Sequence, residues 1–154
     1  MDEIFRKNVK KFFSFPGVVK AVEEENFDDI FKAWNNYRYQ LRKQGLTLDF
    51  KHTLTYELCS FLEEAGIDWL SLVTKIPDFA FCYYPDMAIE IPLNIKEFGA
   101  FCFKNSSIDT IIYEGTKDDW SKIKFNIVDS LLGKDNKLIK IICSDGEYKR
   151  RFQL

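Results

Sequence analysis

A single histidine, His52, stands in this chain of 154 residues. Any Ser-His-Asp or Cys-His relay would have to run through it, because activating such a nucleophile near neutral pH needs a base within hydrogen-bond reach. Its surroundings, Asp49-Phe50-Lys51-His52-Thr53, offer neither serine nor cysteine. They read as a helix entry, so a structural or solvent-facing role is expected. The four cysteines, Cys59, Cys82, Cys102 and Cys143, stand singly without a C-x-x-C. One histidine and four scattered thiols lack the paired spacing that brings four zinc ligands together, so no metal is expected. Their apolar contexts predict buried thiols in a reducing compartment. Carboxylates cluster at Glu23 to Glu25, Asp28-Asp29, Glu63-Glu64 and Asp118-Asp119. All fall at helix starts or on solvent faces, where the helix dipole and hydration place them without any acid–base task. Neither G-x-x-x-x-G-K nor G-x-G-x-x-G occurs, so phosphate cradling has no support and no cofactor is expected.

Two stretches carry binding chemistry instead. Trp34 to Lys43 mixes aromatic and basic residues, as single-strand nucleic-acid binders do. On a helix Trp34, Tyr37 and Leu41 face inward together, which leaves Arg38, Tyr39, Arg42 and Lys43 outside as an alternative nucleic-acid face. The formal charge of −2 weighs against that partner and favours a solvated basic face. The second stretch is a repeat. Ile76 matches Phe98, Pro77 matches Gly99, Ala80 matches Cys102, Phe81 matches Phe103, Ile89 matches Ile111 and Ile91 matches Tyr113, each pair 22 positions apart. A fixed period in the twenties marks a solenoid, whose units cannot bury an apolar face alone and must stack.

Within each unit a compact corner (Ile76 to Phe81, Phe98 to Phe103) precedes a short alternating run, Ile89-Glu90-Ile91 or Ile111-Ile112-Tyr113. The period of two predicts a half-buried strand. Pro92 should end the first, since it cannot donate to a ladder. Ile139 to Cys143 would add a further rung. With Ile89, Ile91, Ile111, Tyr113, Ile139, Ile141 and Cys143 inward, alternation puts Glu90, Thr110, Ile112, Glu114, Lys140 and Ile142 on the opposite face. Two isoleucines there require a cover, supplied by the helical half or by a partner.

These residues resemble the BspA-like leucine-rich repeat of bacterial and phage proteins, whose pattern runs V-T-x-I-P/G-x-x-A-F-x(5)-L-x-x-I-x-I-P. The segments IYEGTKDDWSKI (Ile112 to Ile123) and IICSDGEYK (Ile141 to Lys149) are similar to the way such arrays close. The resemblance runs from Val73 to the end. It implies a right-handed coil of strands that binds a partner and has no catalytic residues. The chain departs from the pattern with Cys102 in place of Ala, Phe98 in place of Ile, and two units only.

Stepwise along the chain, apolar spacing predicts a helix from Glu3 to Phe13 that buries Ile4, Phe5, Val9, Phe12 and Phe13. A short helix follows Pro16-Gly17 with a Val18, Val19, Val22 stripe. Asn26 caps a longer one, with Asp29 reaching back, and Gly45 stops it. Leu54, Leu58, Phe61, Leu62 and Ala65 make a fourth, ended by Gly66, and Asp68 caps a turn from Trp69 to Val73. Thr116 caps a brief helix through Trp120. Asn126 to Lys137 reads as an irregular connection hinged at Gly133. Asp145-Gly146 reads as a turn before an edge strand, Tyr148 to Phe152, kept soluble by Lys149, Arg150 and Arg151.

The expectation is an α+β protein: a helical cap over residues 1–72, then a leucine-rich solenoid with parallel strands and a C-terminal β cap over 73–154, in one compact unit. A two-unit array needs its ends sealed, which gives the helices their purpose. Fifteen phenylalanines and 16% aromatics predict a core of flat side chains, and 30% charge suits a folded chain. No apolar run is of bilayer length and MDEIFRKNVKKFF has no secretory apolar region, so the chain should stay in the cytoplasm. The expected function is non-catalytic protein binding, with no membrane partner. Small size and repeat type suggest a phage product that inhibits a host or defence protein. A homo-oligomer built through the sheet face is a further option.

Overall fold

About three to four apolar side chains per two turns suffice to bury one face of a helix, and the first half of the chain repeats that spacing four times. In the computed structural model, which describes residues 3–44, 55–125 and 131–149, helices α1 (Glu3–Phe12), α2 (Pro16–Glu23), α3 (Phe27–Lys43) and α4 (Thr55–Glu64) belong to one compact unit, Met1–Val73. The second unit is Thr74–Leu154. Gly45, Leu54, Asn126 and Arg150 to Phe152 lie outside the described residues.

Helix α1 buries Phe5, Val9 and Phe12, while Ile4 is exposed and Phe13 half-buried, contrary to the predicted stripe. Spacings of four and three keep Phe5, Val9 and Phe12 on one face, and Ile4 sits about 100° away from Phe5. For the same reason α2 buries Val18 and Ala21 and leaves Val19 and Val22 exposed. Pro16 opens α2, as expected. Its end is fixed by Glu25 in the left-handed region (φ 54), with Glu25 N donating to Val22 O at 3.0 Å and Asn26 N to Ala21 O at 2.8 Å.

At the start of α3, Asn26 Oδ1 accepts from Asp29 N at 3.2 Å. Asp29 answers through the Asn26 side-chain amide, at 2.8 Å, and not through its backbone N–H. Gly66 ends the fourth helix with φ +81, as predicted, and its N–H donates to Glu63 O while Ile67 N–H donates to Leu62 O. Asp68 occupies the cap position of the 3₁₀ turn Trp69–Leu72 but its side chain makes no cap bond. Its carbonyl accepts instead, from Ser71 N and Oγ at 3.2 and 2.8 Å. Trp34 anchors this core, edge-on to Phe5 and Phe12 at 6.0 and 5.0 Å.

The second unit is strand, turn and strand again: β1 (Lys75–Ile76), β2 (Ala88–Ile91), β3 (Glu97–Phe98), β4 (Thr110–Tyr113), β5 (Lys124–Phe125), β6 (Lys140–Cys143) and β7 (Gly146–Glu147). β1, β3 and β5 form a parallel sheet in that order, and β2, β4, β6 and β7 a mixed one. Neither closes. Ile76 lies beside Phe98, Ile89 beside Ile111 and Ile91 beside Tyr113, so the sequence repeat is the strand register. Pro92 follows the last residue of β2, as predicted.

Between the strands the two connecting loops copy each other. Phe79 and Phe101 (φ 61 and 53), and Tyr83 and Asn105 (φ 61 and 60), adopt left-handed backbone at matched positions. For Phe this costs about 1–2 kcal/mol, so the packing around it must hold it there. That packing is visible: Phe79 stacks on Phe101 at 5.5 Å, and Phe81 on Phe103 at 5.6 Å with planes 10° apart. Backbone bonds continue the ladder through the loops, from Phe79 N to Ala100 O, Phe81 N to Cys102 O and Ser107 N to Tyr84 O. Asp78 Oδ1 accepts from Ala100 N at 2.7 Å.

A third pass of chain joins both sheets. Phe125 pairs with Phe98, stacking at 5.4 Å, and Ile141 pairs with Ile111. The predicted rung at Ile139 to Cys143 is therefore present as β6. Between them Thr116 and Asp119 form a reciprocal capping box at the head of α5 (Lys117–Ser121). Gly133 is a close-approach point, where a Cβ would collide with Ile108 O. The terminal hairpin turns through Ser144-Asp145, with Gly146 (φ +126) already in β7 against Cys143. The return strand is thus Gly146–Glu147, earlier than predicted, because Gly146 supplies the positive φ at its start.

Among the described residues, no helix is long and apolar enough to cross a membrane.

Candidate binding face on the four-stranded sheet

Alternation along each strand of the mixed sheet sorts its side chains in two. Ile89, Ile91, Ile111, Tyr113, Ile141 and Cys143 are buried. Ile139, just before β6, is also buried. On the outer face, register sets Glu90, Ile112, Ile142 and Glu147 in one row across four strands. Ala88, Thr110 and Lys140 make the row beneath. With strands ~4.8 Å apart, each row is a narrow band whose neighbours are within side-chain reach.

The structure thus brings together Glu90, Thr110, Ile112, Glu114, Lys140 and Ile142. Ile112 is 43% exposed, and Ile142 is half-buried. Around them the polar groups are mostly engaged within the unit. Thr110 Oγ1 donates to Asp109 Oδ1 at 2.9 Å, Glu114 Oε2 accepts from Leu93 N at 3.4 Å, and Glu147 takes the Lys149 ammonium at 2.9 Å. That last bond holds the Glu147 carboxyl below its ordinary pKa. Met87 and Leu138, in the chain just before β2 and β6, are 57% and 47% exposed. Glu147 was missed because the hairpin register decides its placement.

The alternative basic face on α3 changes. Arg38 is 7% exposed, not outward. At about 100° per residue it lies about 40° from Trp34, on the stripe that also takes Phe27, Ile30, Phe31 and Leu41. Arg38 Nη1 donates to the buried Thr55 Oγ1 at 3.2 Å. Tyr37 takes the half-buried edge instead. Tyr39 is 63% exposed, and Arg42 and Lys43 are exposed, so three of the four residues remain on the surface.

Of the other candidates, His52 lies outside the described residues. All four cysteines are buried, and none is in a disulfide. Burial pushes the Cys102 thiol well up, helped by Asp78, and Cys102 Sγ donates to Gly99 O at 3.0 Å. Burial likewise raises Cys143. Among the carboxylates, Glu63 Oε1 accepts from Trp69 Nε1 at 3.1 Å, which gives it a packing task. Among the described residues no group of three His, Cys, Asp or Glu could hold a metal ion.

Compared with protein-family models, with curated proteins and with solved structures, the chain gives no significant match.

Proposed function

We propose that the second unit is a short solenoid of the BspA-like leucine-rich type that binds another protein without catalysis, in the cytoplasm, through the outer face of its four-stranded sheet. The observation that carries this is Ile112, exposed at the middle of a strand with Ile142 beside it and Glu90 and Glu147 at the two ends of the row. A solvated sheet face alternates apolar-in with polar-out, and β4 breaks that rule at its centre. The 22-residue register, the matched left-handed loops and the stacked phenylalanines support the solenoid reading. The fitting partner presents an apolar side chain between cations, since Glu90 and Glu114 flank the isoleucines. If the chain is phage-encoded, a host or defence protein is that partner. Burial of Arg38 leaves the alternative nucleic-acid face with two exposed cations, Arg42 and Lys43, in place of three.

A photo-crosslinking residue at position 112, with position 39 as control, tests this in cells that make the protein. The expected result is an adduct with a different protein at 112 and none at 39. Ile112→Asp should abolish capture of that protein while urea unfolding shows the chain still folded, with a loss of about 1 kcal/mol from strand propensity and the facing Glu90. Adducts only between copies of this chain would replace the reading with self-association. No adduct at 112 would end it.

A further inference from the structure

Within the helical unit, α1, α2, α3 and α4 border an open cavity of about 580 Å³, inside the roughly 300–1,000 Å³ range of small-molecule sites. Its lining takes in the buried Val9, Phe27 and Leu62, and the half-buried Phe13 and Phe61, whose rings stack at 6.0 Å. Among the described residues that line it, only Arg6, Lys10 and Ser14 carry polar side chains. They stand four apart, so α1 and the turn that follows it carry a polar row beside an apolar one (Val9, Phe13). The Ser14 hydroxyl is already donated to Lys11 O at 2.5 Å. What remains is two exposed cations on an apolar hollow, with no carboxylate among the described lining residues, in a chain where acids outnumber bases by 24 to 22.

We propose that this cavity binds an unbranched amphiphilic anion, a fatty carboxylate, with its alkyl chain against Phe13, Phe61 and Leu62 and its head group between Arg6 and Lys10. A neutral or cationic amphiphile gains the apolar contact alone. An apolar helix of another protein would leave both cations without a counter-charge.

Titration calorimetry of the full chain with octanoate, decanoate and dodecanoate, each below its micelle concentration, tests the proposal. Binding should be saturable and should tighten about fourfold per added methylene. Dodecanoate should bind more tightly than dodecyltrimethylammonium. Arg6→Glu with Lys10→Glu should reverse that order and weaken dodecanoate at least tenfold. Val22→Trp, at an exposed lining position, should block dodecanoate while circular dichroism shows the helices retained. Absence of saturable binding, no dependence on chain length, or unchanged affinity in Val22→Trp would each overturn the proposal. So would dimerisation of the ligand-free chain that Val22→Trp abolishes, since a second copy would then be the occupant.

Discussion

Gly99→Ala places a Cβ against Asp78 Oδ1, 2.7 Å from Asp78 N and 2.8 Å from Ile76 O. Two of these three atoms are backbone of the preceding repeat, held by the Gly99 N–H to Ile76 O bond at 2.8 Å, so they cannot rotate aside. Overpacking of this kind costs about 1–3 kcal/mol. Displacing the Asp78 carboxylate also breaks its 2.7 Å bond from Ala100 N, and a hydrogen bond to a charged group is worth about 1.5–3 kcal/mol. The expected loss is therefore about 2.5–6 kcal/mol, a fall in Tm of at least about 5 °C for a chain of this size. Gly17→Ala is the control: its Cβ meets nothing within 4 Å, and the exchange inside α2 should stabilise by about 0.5–1 kcal/mol. Asp78→Ala should cost only the carboxylate's share. The double variant should be about as unstable as Gly99→Ala alone, because that exchange has already broken the carboxylate's bond and the backbone clashes persist. Urea unfolding followed by circular dichroism measures all four. A Gly99→Ala midpoint equal to the parent's would refute the close stacking of the two repeats.

Phe103→Ala, at a fully buried ring between Phe81 and Phe98, should cost about 3–5 kcal/mol in the same assay. All four thiols should react slowly with a disulfide reagent in the native protein and quickly in guanidinium. Because the native Cys102 pKa is raised by burial and then by Asp78, its contribution to stability is complete below the ordinary thiol pKa of about 8.5 and declines as pH rises above it. Urea midpoints from pH 7 to 10 should show that decline, and Cys102→Ala should flatten it. Asp119 has the opposite sign: the Thr116 backbone N–H and then its side chain hold its carboxyl below the ordinary value. Its stabilisation is present above about pH 4 and is lost as pH falls further, so Asp119→Asn should make the acid limb shallower.

The parallel register could be read from the chain because the same residues serve both repeats: Ile89 and Ile111 fill one layer, Ile91 and Tyr113 the next. The third pass was legible only in part. Its strands stand opposite partners 27 and 30 positions back, Glu97 to Lys124 and Thr110 to Lys140, and that insertion breaks the period while leaving the pairing intact. The corner strands β1, β3 and β5 are two residues each, too short for alternation to show. Left-handed backbone at Phe79 and Phe101 carries no mark in sequence, since phenylalanine is not a residue that favours positive φ; neighbour stacking fixes it. On α3 the wheel, drawn from Trp34, Tyr37 and Leu41, was centred too far to one side. An arginine on a buried stripe looks like a surface residue until Thr55 Oγ1 appears beside it. The outer sheet face followed from alternation alone, whereas Glu147 depended on a hairpin register that no period predicts.

Solution NMR of the labelled protein reads the stacking of the repeats most directly. Backbone NOEs should connect 89–91 with 111–113 in parallel order, Ile89 to Ile111 and Ile91 to Tyr113, and should connect Ile111 to Ile141. An antiparallel order, or a register other than 22 between the first two strands, would contradict it.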